Sequence, residues 1–423
     1  MGILAIMNNP TLLTLFLCFL KIGCVSFGGF MSLVSMIESQ VVERRKWLSS
    51  EDMLDGVALA SLLPGPMAVN TVAYVGYRLR GGLGALVSAV AVLLPTVLFM
   101  MVLADLYFRF GTLPQVERVF FGILPAVAAI VLSVCLKMGT KNLTSPVQWV
   151  AFVFVVVLLL LMPKAYRIYA TFGLVALFGV AGFLFHYFGN KKPLEVEADG
   201  SVGVALEQVT ATRKTLPSGR WLGFLFLGVI ALLGVVPLPV ARDGLTSLMT
   251  TFGSMSLTLF GGGYVFIPMI QDVVVDRFGW LTAQEFIDGI ALGQVTPGPI
   301  LISAAFIGQK VAGIPGALLS TAAIFAPPAM LMVLMAGMLE GIKSSKAVQA
   351  VMKGIRIAVI GLIFRAFLNI FMMAWPDGGD AVVQSAMVLI VFILSFVALF
   401  KYKVDVVWII PVAGLAGYLS GLI

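Results

Sequence analysis

Pro64-Gly65-Pro66 and Pro297-Gly298-Pro299 each interrupt a long apolar stretch of this sequence. Proline withdraws a backbone donor and clashes with the preceding turn. Lipid offers no water to the groups set free, so such a break persists only where protein or a water-filled cavity covers it. A chain that restarts as a helix at Met67 or Ile300 presents unpaired N–H groups and the positive end of a helix dipole, which together suit an anion. Asn70 and Ser303, about one turn further on, are hydrogen-bond donors within reach. Two such ends meeting from opposite sides would hold one anion between them. A plain kink or turn is the competing reading, and the recurrence of the motif weighs against it.

Phe27-Gly28-Gly29 and Phe260-Gly261-Gly262 loosen or end the first helix of each half, and small residues there also let a neighbouring backbone approach. Packing explains these glycines as well as binding does, while the pairing favours a second broken element beside each PGP. Lys21 stands at the centre of the first apolar stretch, two helical turns before Gly28 and on the same face. A bare ammonium there is costly unless it meets a cavity, a counter-ion or a substrate, and snorkelling from mid-span is a long reach. Its counterpart in the second half is Ser254, so only one half supplies this cation. Arg356 and Arg365 fall on opposite faces of a straight helix. Arg356, with Lys353 on its side, is the one assigned to a cavity, and a lipid-phosphate or helix-end role is its alternative.

Asp55 and Asp288 recur within the pattern W-L-[ST]-x-x-[DE]-x-x-D-G. Ser49 or Ser50 and Thr282 read as helix N-caps followed by acidic residues in the first turn, which is the ordinary explanation. A carboxylate a turn or so inside a membrane helix is also a group that could take up a coupling proton. Trp47 and Trp280, just ahead of the caps, read as interfacial anchors.

The elements that must position these groups belong in a bilayer. The chain is 60% hydrophobic and 11% charged, with a mean hydropathy of +1.07, too little polar surface to cover a water-soluble globule. Cys18, Cys24 and Cys135 lie in apolar segments without CxxC spacing and His186 is the single histidine, so no disulfide framework, metal site or cofactor is expected. The net charge of +7 is spread over loops, which gives nucleic-acid binding no support.

Charged and Gly/Pro-rich breaks predict an all-α polytopic membrane protein of about thirteen spans, six, one and six. The first six lie near 11–30, 52–77, 82–108, 116–135, 146–162 and 165–187. An N-terminal repeat over 1–188 is followed by a cytoplasmic linker over 189–220, a linking span over 221–240 and a C-terminal repeat over 241–423. The halves match at one constant offset: Phe27-Gly28-Gly29 with Phe260-Gly261-Gly262, Trp47 with Trp280, Asp55 with Asp288, and one PGP with the other. After a single-residue slip the register continues through Gly76 and Gly308, Pro95 and Pro327, and Gly122 and Gly354. An odd span between two six-span repeats inverts the second one, and an excess of loop cations on the resulting inner side, among them Arg78, Lys137, Lys141, Lys191 and Lys192, puts the N-terminus in the cytoplasm. Treating the PGP segments as re-entrant hairpins, with the N-terminus outside, gives nearly the same bias and makes the repeats parallel; both plans stand.

At its paired FGG, W-L…D-G and PGP motifs the chain resembles the long, two-domain members of the chromate ion transporter family over nearly its full length. It departs from many members at Phe30, where they carry Pro, and at Met67, where they carry Asn or Leu. The resemblance implies a plasma (inner) membrane protein that exports chromate, is thought to draw on the proton motive force, and has no enzymatic activity. It points to Phe27, Gly28, Gly29, Pro64, Gly65, Pro66 and their second-half partners. Chromate and sulfate are tetrahedral dianions of similar size, so dipole ends, amide N–H groups and a cation would bind both. A sulfate or other anion importer, or an anion channel, is the alternative. A small oxyanion and the bilayer are the expected partners, and a homodimer is compatible with the sequence.

Overall fold

The computed structural model describes residues 10–26, 29–188, 244–260, 263–336, 345–375 and 381–420. Phe27, Gly28, Gly261, Gly262, the linker and the linking span over 221–240 lie outside the described residues.

Every described element is helical. The first repeat contains α1 (Leu12–Val25), α2 (Gly29–Ile37, running on as a π-helical Glu38–Arg44), α3 (Ser50–Leu62), α4 (Met67–Phe110), α5 (Pro114–Asn142), α6 (Pro146–Leu161) and α7 (Lys164–Phe188). The second contains α8 (Leu245–Ser256) and the short α9 (Phe266–Gln271), which is led by a 3-10 turn over Gly263–Val265 and followed by a π-helical Asp272–Arg277. It continues with α10 (Ala283–Val295), a 3-10 turn over Ile300–Ile302, α11 (Ser303–Ala336), α12 (Lys346–Ala374), α13 (Ala381–Phe400) and α14 (Val406–Ser420). Met67–Phe110, Pro114–Asn142, Tyr166–Phe185, Ile300–Ala336 and Lys346–Ala374 are long and apolar enough to cross a membrane.

The PGP segments do not lie in single spans. The Ser49 side chain accepts from the Asp52 N–H at the start of α3, and Thr282 forms a capping box with Glu285 at the start of α10. Each helix is 13 residues long, about 20 Å, short of a hydrocarbon core of ~30 Å. After PGP the chain turns into α4 or α11, and both of these break again, at Arg80-Gly81 and at Ala312-Gly313, where Gly81 and Gly313 hold positive φ. The helix then doubles back, and Gly76 and Gly84 meet backbone to backbone, as do Gly308 and Gly316. Arg78 is ion-paired with Asp52, and Lys310 with Glu285 at 2.8 Å. The open ends of each hairpin are therefore stapled at one level with PGP at the tip. The span expected over 52–77 and its counterpart in the second repeat are two-armed hairpins, and the chain from Gly29 forms α2, where no element is predicted from the sequence.

The repeats interlock. α5 packs on α12, α13 and α14 of the other repeat, and α12 packs on α6 and α7 as well as on α5. Glycines permit the two closest crossings: Gly122 meets Ala413 and Gly417 of α14, and Gly354 meets Phe178 and Gly182 of α7. Leucine, valine and phenylalanine side chains such as Leu98, Val102, Val150, Phe154 and Leu394 remain exposed on the outer faces, as expected of a surface solvated by lipid.

Candidate anion site

Each PGP tip is bonded to the opposite repeat. The Gly65 N–H donates to the Leu259 carbonyl and the Gly298 N–H to the Ser26 carbonyl, both at 2.7 Å. Ser26 and Leu259 immediately precede Phe27 and Phe260, so each PGP docks at the threshold of the other repeat's FGG. Gly65 and Gly298 hold φ of 95° and 107°, a region that a side chain disfavours. A Cβ on Gly65 would overlap the Pro328 ring, and one on Gly298 would stand 2.7 Å from Thr96 Oγ1. Thr96 and Pro328 are repeat mates on α4 and α11. The residues on either side of the second FGG reach both tips: Leu259, before it, receives the first, and Gly263, after it, lies against Ile300 and Leu301 at the helix start beyond the second.

Pro66 and Pro299 occupy the N-cap positions of these helix starts, and no side chain among the described residues caps either one. The leading N–H groups thus keep the polarity that favours an anion. The surroundings of the tips are polar but incompletely paired. Ser26, Thr96 and Asn70 are fully buried, and Ser26 Oγ, Thr96 Oγ1, Asn70 Oδ1 and Gln294 Nε2 have no hydrogen-bond partner among the described residues. Buried polar atoms seldom stay unpaired in a native fold, so those beside the two helix starts mark a place for a ligand or water.

Pro64, Gly65, Pro66, Pro297, Gly298 and Pro299 thus converge on the interface between repeats, and Phe260 is buried beside them. Gly29 opens α2. The expected donors are used differently. Asn70 Nδ2 donates to the Pro64 carbonyl at 3.0 Å, bracing its own turn, and the Ser303 hydroxyl is directed at the Ile300 and Gly289 carbonyls at 3.0 and 3.3 Å. Lys21 is exposed on the α1 face that carries Leu13 and Leu17, while Leu15, Phe19 and Ile22 form the buried face. Arg356 is half-buried on α12, with Nη1 3.4 Å from Asn142 Oδ1 of α5. Asp288 is buried and accepts from Tyr107 of α4 at 2.6 Å and from Gln284 at 2.9 Å, whereas Asp55 is half-buried.

Sequence reasoning passed over a buried ion pair. Arg365 and Asp272, each 2% exposed, form a two-pronged contact at 2.8 and 3.1 Å, and Thr171 of α7 stands 3.4 Å from the same carboxylate. In register, Asp272 matches Ser39 and Arg365 matches Ser133. An acid and a base present together in one repeat and missing together from the other was a signal available in the sequence. Tyr107 carried no such sign, because its partner lies 181 residues away.

The family described as Chromate transporter matches residues 13–183 and 246–418, one block in each repeat. A chromate transport protein of Cupriavidus metallidurans is 29% identical over 395 residues, 91% of this chain and 88% of its own length. An uncharacterized transporter of Methanocaldococcus jannaschii is 29% identical over 412 residues, covering 97% of this chain and 95% of that protein. An uncharacterized transporter of Bacillus subtilis is 28% identical over 173 residues, 41% of this chain but 97% of its own length. No solved structure matches the chain.

Proposed function

This chain belongs to the chromate transporter family, and from that premise we propose that it exports chromate through a seat formed where the PGP helix starts meet the opposite FGG thresholds. Members of the family are transporters rather than enzymes, and the long apolar helices make this one a multi-pass membrane protein. The observation that carries the reading is the reciprocal docking of Gly65 on Leu259 and Gly298 on Ser26, which places two uncapped helix starts and unpaired hydroxyls at one inter-repeat seam. An inside-negative potential of 100 mV favours outward movement of a dianion by about 4.6 kcal/mol, so efflux is the direction that the membrane itself supports.

The proposal includes a pseudo-two-fold relation between the repeats, inverted across the bilayer, with a cytoplasmic N-terminus and residence in the plasma (inner) membrane. With α1 and α2 read as a second re-entrant hairpin beside the PGP one, the four helices that follow (the arm of α4 beyond Gly81, then α5, α6 and α7) plus one linking span would leave the second repeat upside down. Coupling to protons would run through Asp288, buried and bonded across the repeats to Tyr107, in preference to Asp55. Sulfate, of the same shape and charge, is the expected competitor. Proteoliposomes loaded with chromate test the whole reading: efflux should follow an imposed pH gradient and fall when sulfate is added. Chromate retention indistinguishable from that of protein-free vesicles would overturn it.

A further inference from the structure

We propose that the oxyanion is seated at the second PGP tip alone, gripped by the hydroxyls of Ser26 and Thr96 and by the N–H groups that open the helix at Ile300. This inference rests on the oxyanion-carrier reading above and assigns its ligands. Ser26 and Thr96 are both wholly buried and their side-chain oxygens have no partner among the described residues. They flank one point: the Ser26 carbonyl takes the Gly298 N–H at 2.7 Å, and Thr96 Oγ1 would lie 2.7 Å from a Cβ placed on Gly298. The helix that follows runs through Ile300–Ile302 into α11, and Pro299 leaves its start without a side-chain cap.

The chemistry suits a fully deprotonated tetrahedral dianion. Its oxygens can only accept hydrogen bonds, a serine or threonine hydroxyl can rotate to donate one, and leading helix N–H groups are fixed donors. Without a fixed countercharge among these ligands the grip stays moderate, as a carrier that must also release requires. The first tip lacks the same means. Its facing residues are Leu259, Pro328 and Ser256: the first two, the repeat mates of Ser26 and Thr96, offer no hydroxyl, and the Ser256 hydroxyl is spent on the Gly253 carbonyl at 2.7 Å. Among the described residues its unpaired side-chain atom is Asn70 Oδ1, an acceptor that would repel an anion. Gly65 is also buried, whereas Gly298 is partly exposed.

Binding to the purified full-length protein and flux in proteoliposomes test the assignment with chromate and with sulfate as probes. Wild-type protein should bind one anion per chain. Ser26→Ala and Thr96→Val, each removing a hydroxyl, should raise the half-saturating concentration ~10-fold or more, and Thr96→Ser should restore it. If one variant fails to fold, the other decides. Wild-type half-saturation in a folded Ser26→Ala or Thr96→Val protein, a lowered melting temperature without a change in half-saturation, or two anions bound per chain would each overturn the assignment while leaving oxyanion transport intact. Absence of any oxyanion flux in the wild type would instead bring down the carrier reading itself.

Discussion

The two hairpin tips share a backbone and differ in what faces them. At the first, Gly65 is buried against the Pro328 ring, and Asn70 ties the turn together through the Pro64 carbonyl. At the second, Gly298 is partly exposed and faces Thr96 and Ser26, whose hydroxyls are unpaired. Duplication preserved the parts that set geometry, namely the glycine with positive φ, the cross-repeat hydrogen bond and the ion-paired hairpin ends. The facing side chains diverged, leaving a first tip faced by Leu259 and the Pro328 ring and a second faced by the hydroxyl-bearing Ser26 and Thr96. The same division extends behind the tips, since the Arg365–Asp272 pair belongs to the second repeat and serines stand at the matching positions of the first.

The largest effect is expected at that pair. Asp272→Ala strands a buried guanidinium and should cost ~3–5 kcal/mol, whereas Ser39→Ala, its repeat mate, should cost about 0.5 kcal/mol or less. Thermal melts in detergent measure both, and equal losses would erase the contrast between repeats. The tip glycines come next. Gly65→Ala meets a rigid ring and should destabilise by ~3 kcal/mol, against ~1–2 kcal/mol for Gly298→Ala, where the Thr96 side chain can rotate away. The reverse order would mean that the first tip is the more adaptable one. Tyr107→Phe removes one cross-repeat bond to a carboxylate and should cost ~1.5–3 kcal/mol if Asp288 stays charged, less if it is protonated. The same variant should alter the pH dependence of flux, and an unchanged profile would argue against Asp288 as the coupling group. The smallest effects belong to the hairpin staples: Arg78→Gln and Lys310→Gln should each cost ~1 kcal/mol or less, alike in both repeats, and a clear difference would show that the two hairpins are not held shut equally.

Much of this was legible in the sequence because it is local or periodic. The N-caps at Ser49 and Thr282, the restarts at Met67 and Ile300, and the apolar runs of α5 and α6 follow from a few consecutive residues. The relation between the repeats is legible in the constant offset of their motifs. The re-entrant form of the PGP segments was present only as an alternative, since what closes each hairpin is the second break at Gly81 or Gly313, a single residue whose φ the sequence does not announce. Lys21 was placed by helical spacing from Gly28, but the face that α1 buries is decided by α4, far along the chain. Asn70 and Ser303 were identified as polar groups near the break; their spending on carbonyls of their own hairpins depends on the turn geometry. Ser26 and Thr96 are ordinary residues in sequence and become notable only where Gly298 arrives from the other repeat.

Reciprocal docking also dictates an order of assembly. Emerging from the ribosome, the first hairpin carries a tip whose acceptor, the Leu259 carbonyl, and whose packing partner, Pro328, have yet to be made. The first repeat is therefore synthesised as an incomplete structure, and its closure waits on the second, which needs Ser26 and Thr96 in turn. A chain made of a single such repeat would face the same deficit, and could complete its tips only by exchanging them with another copy.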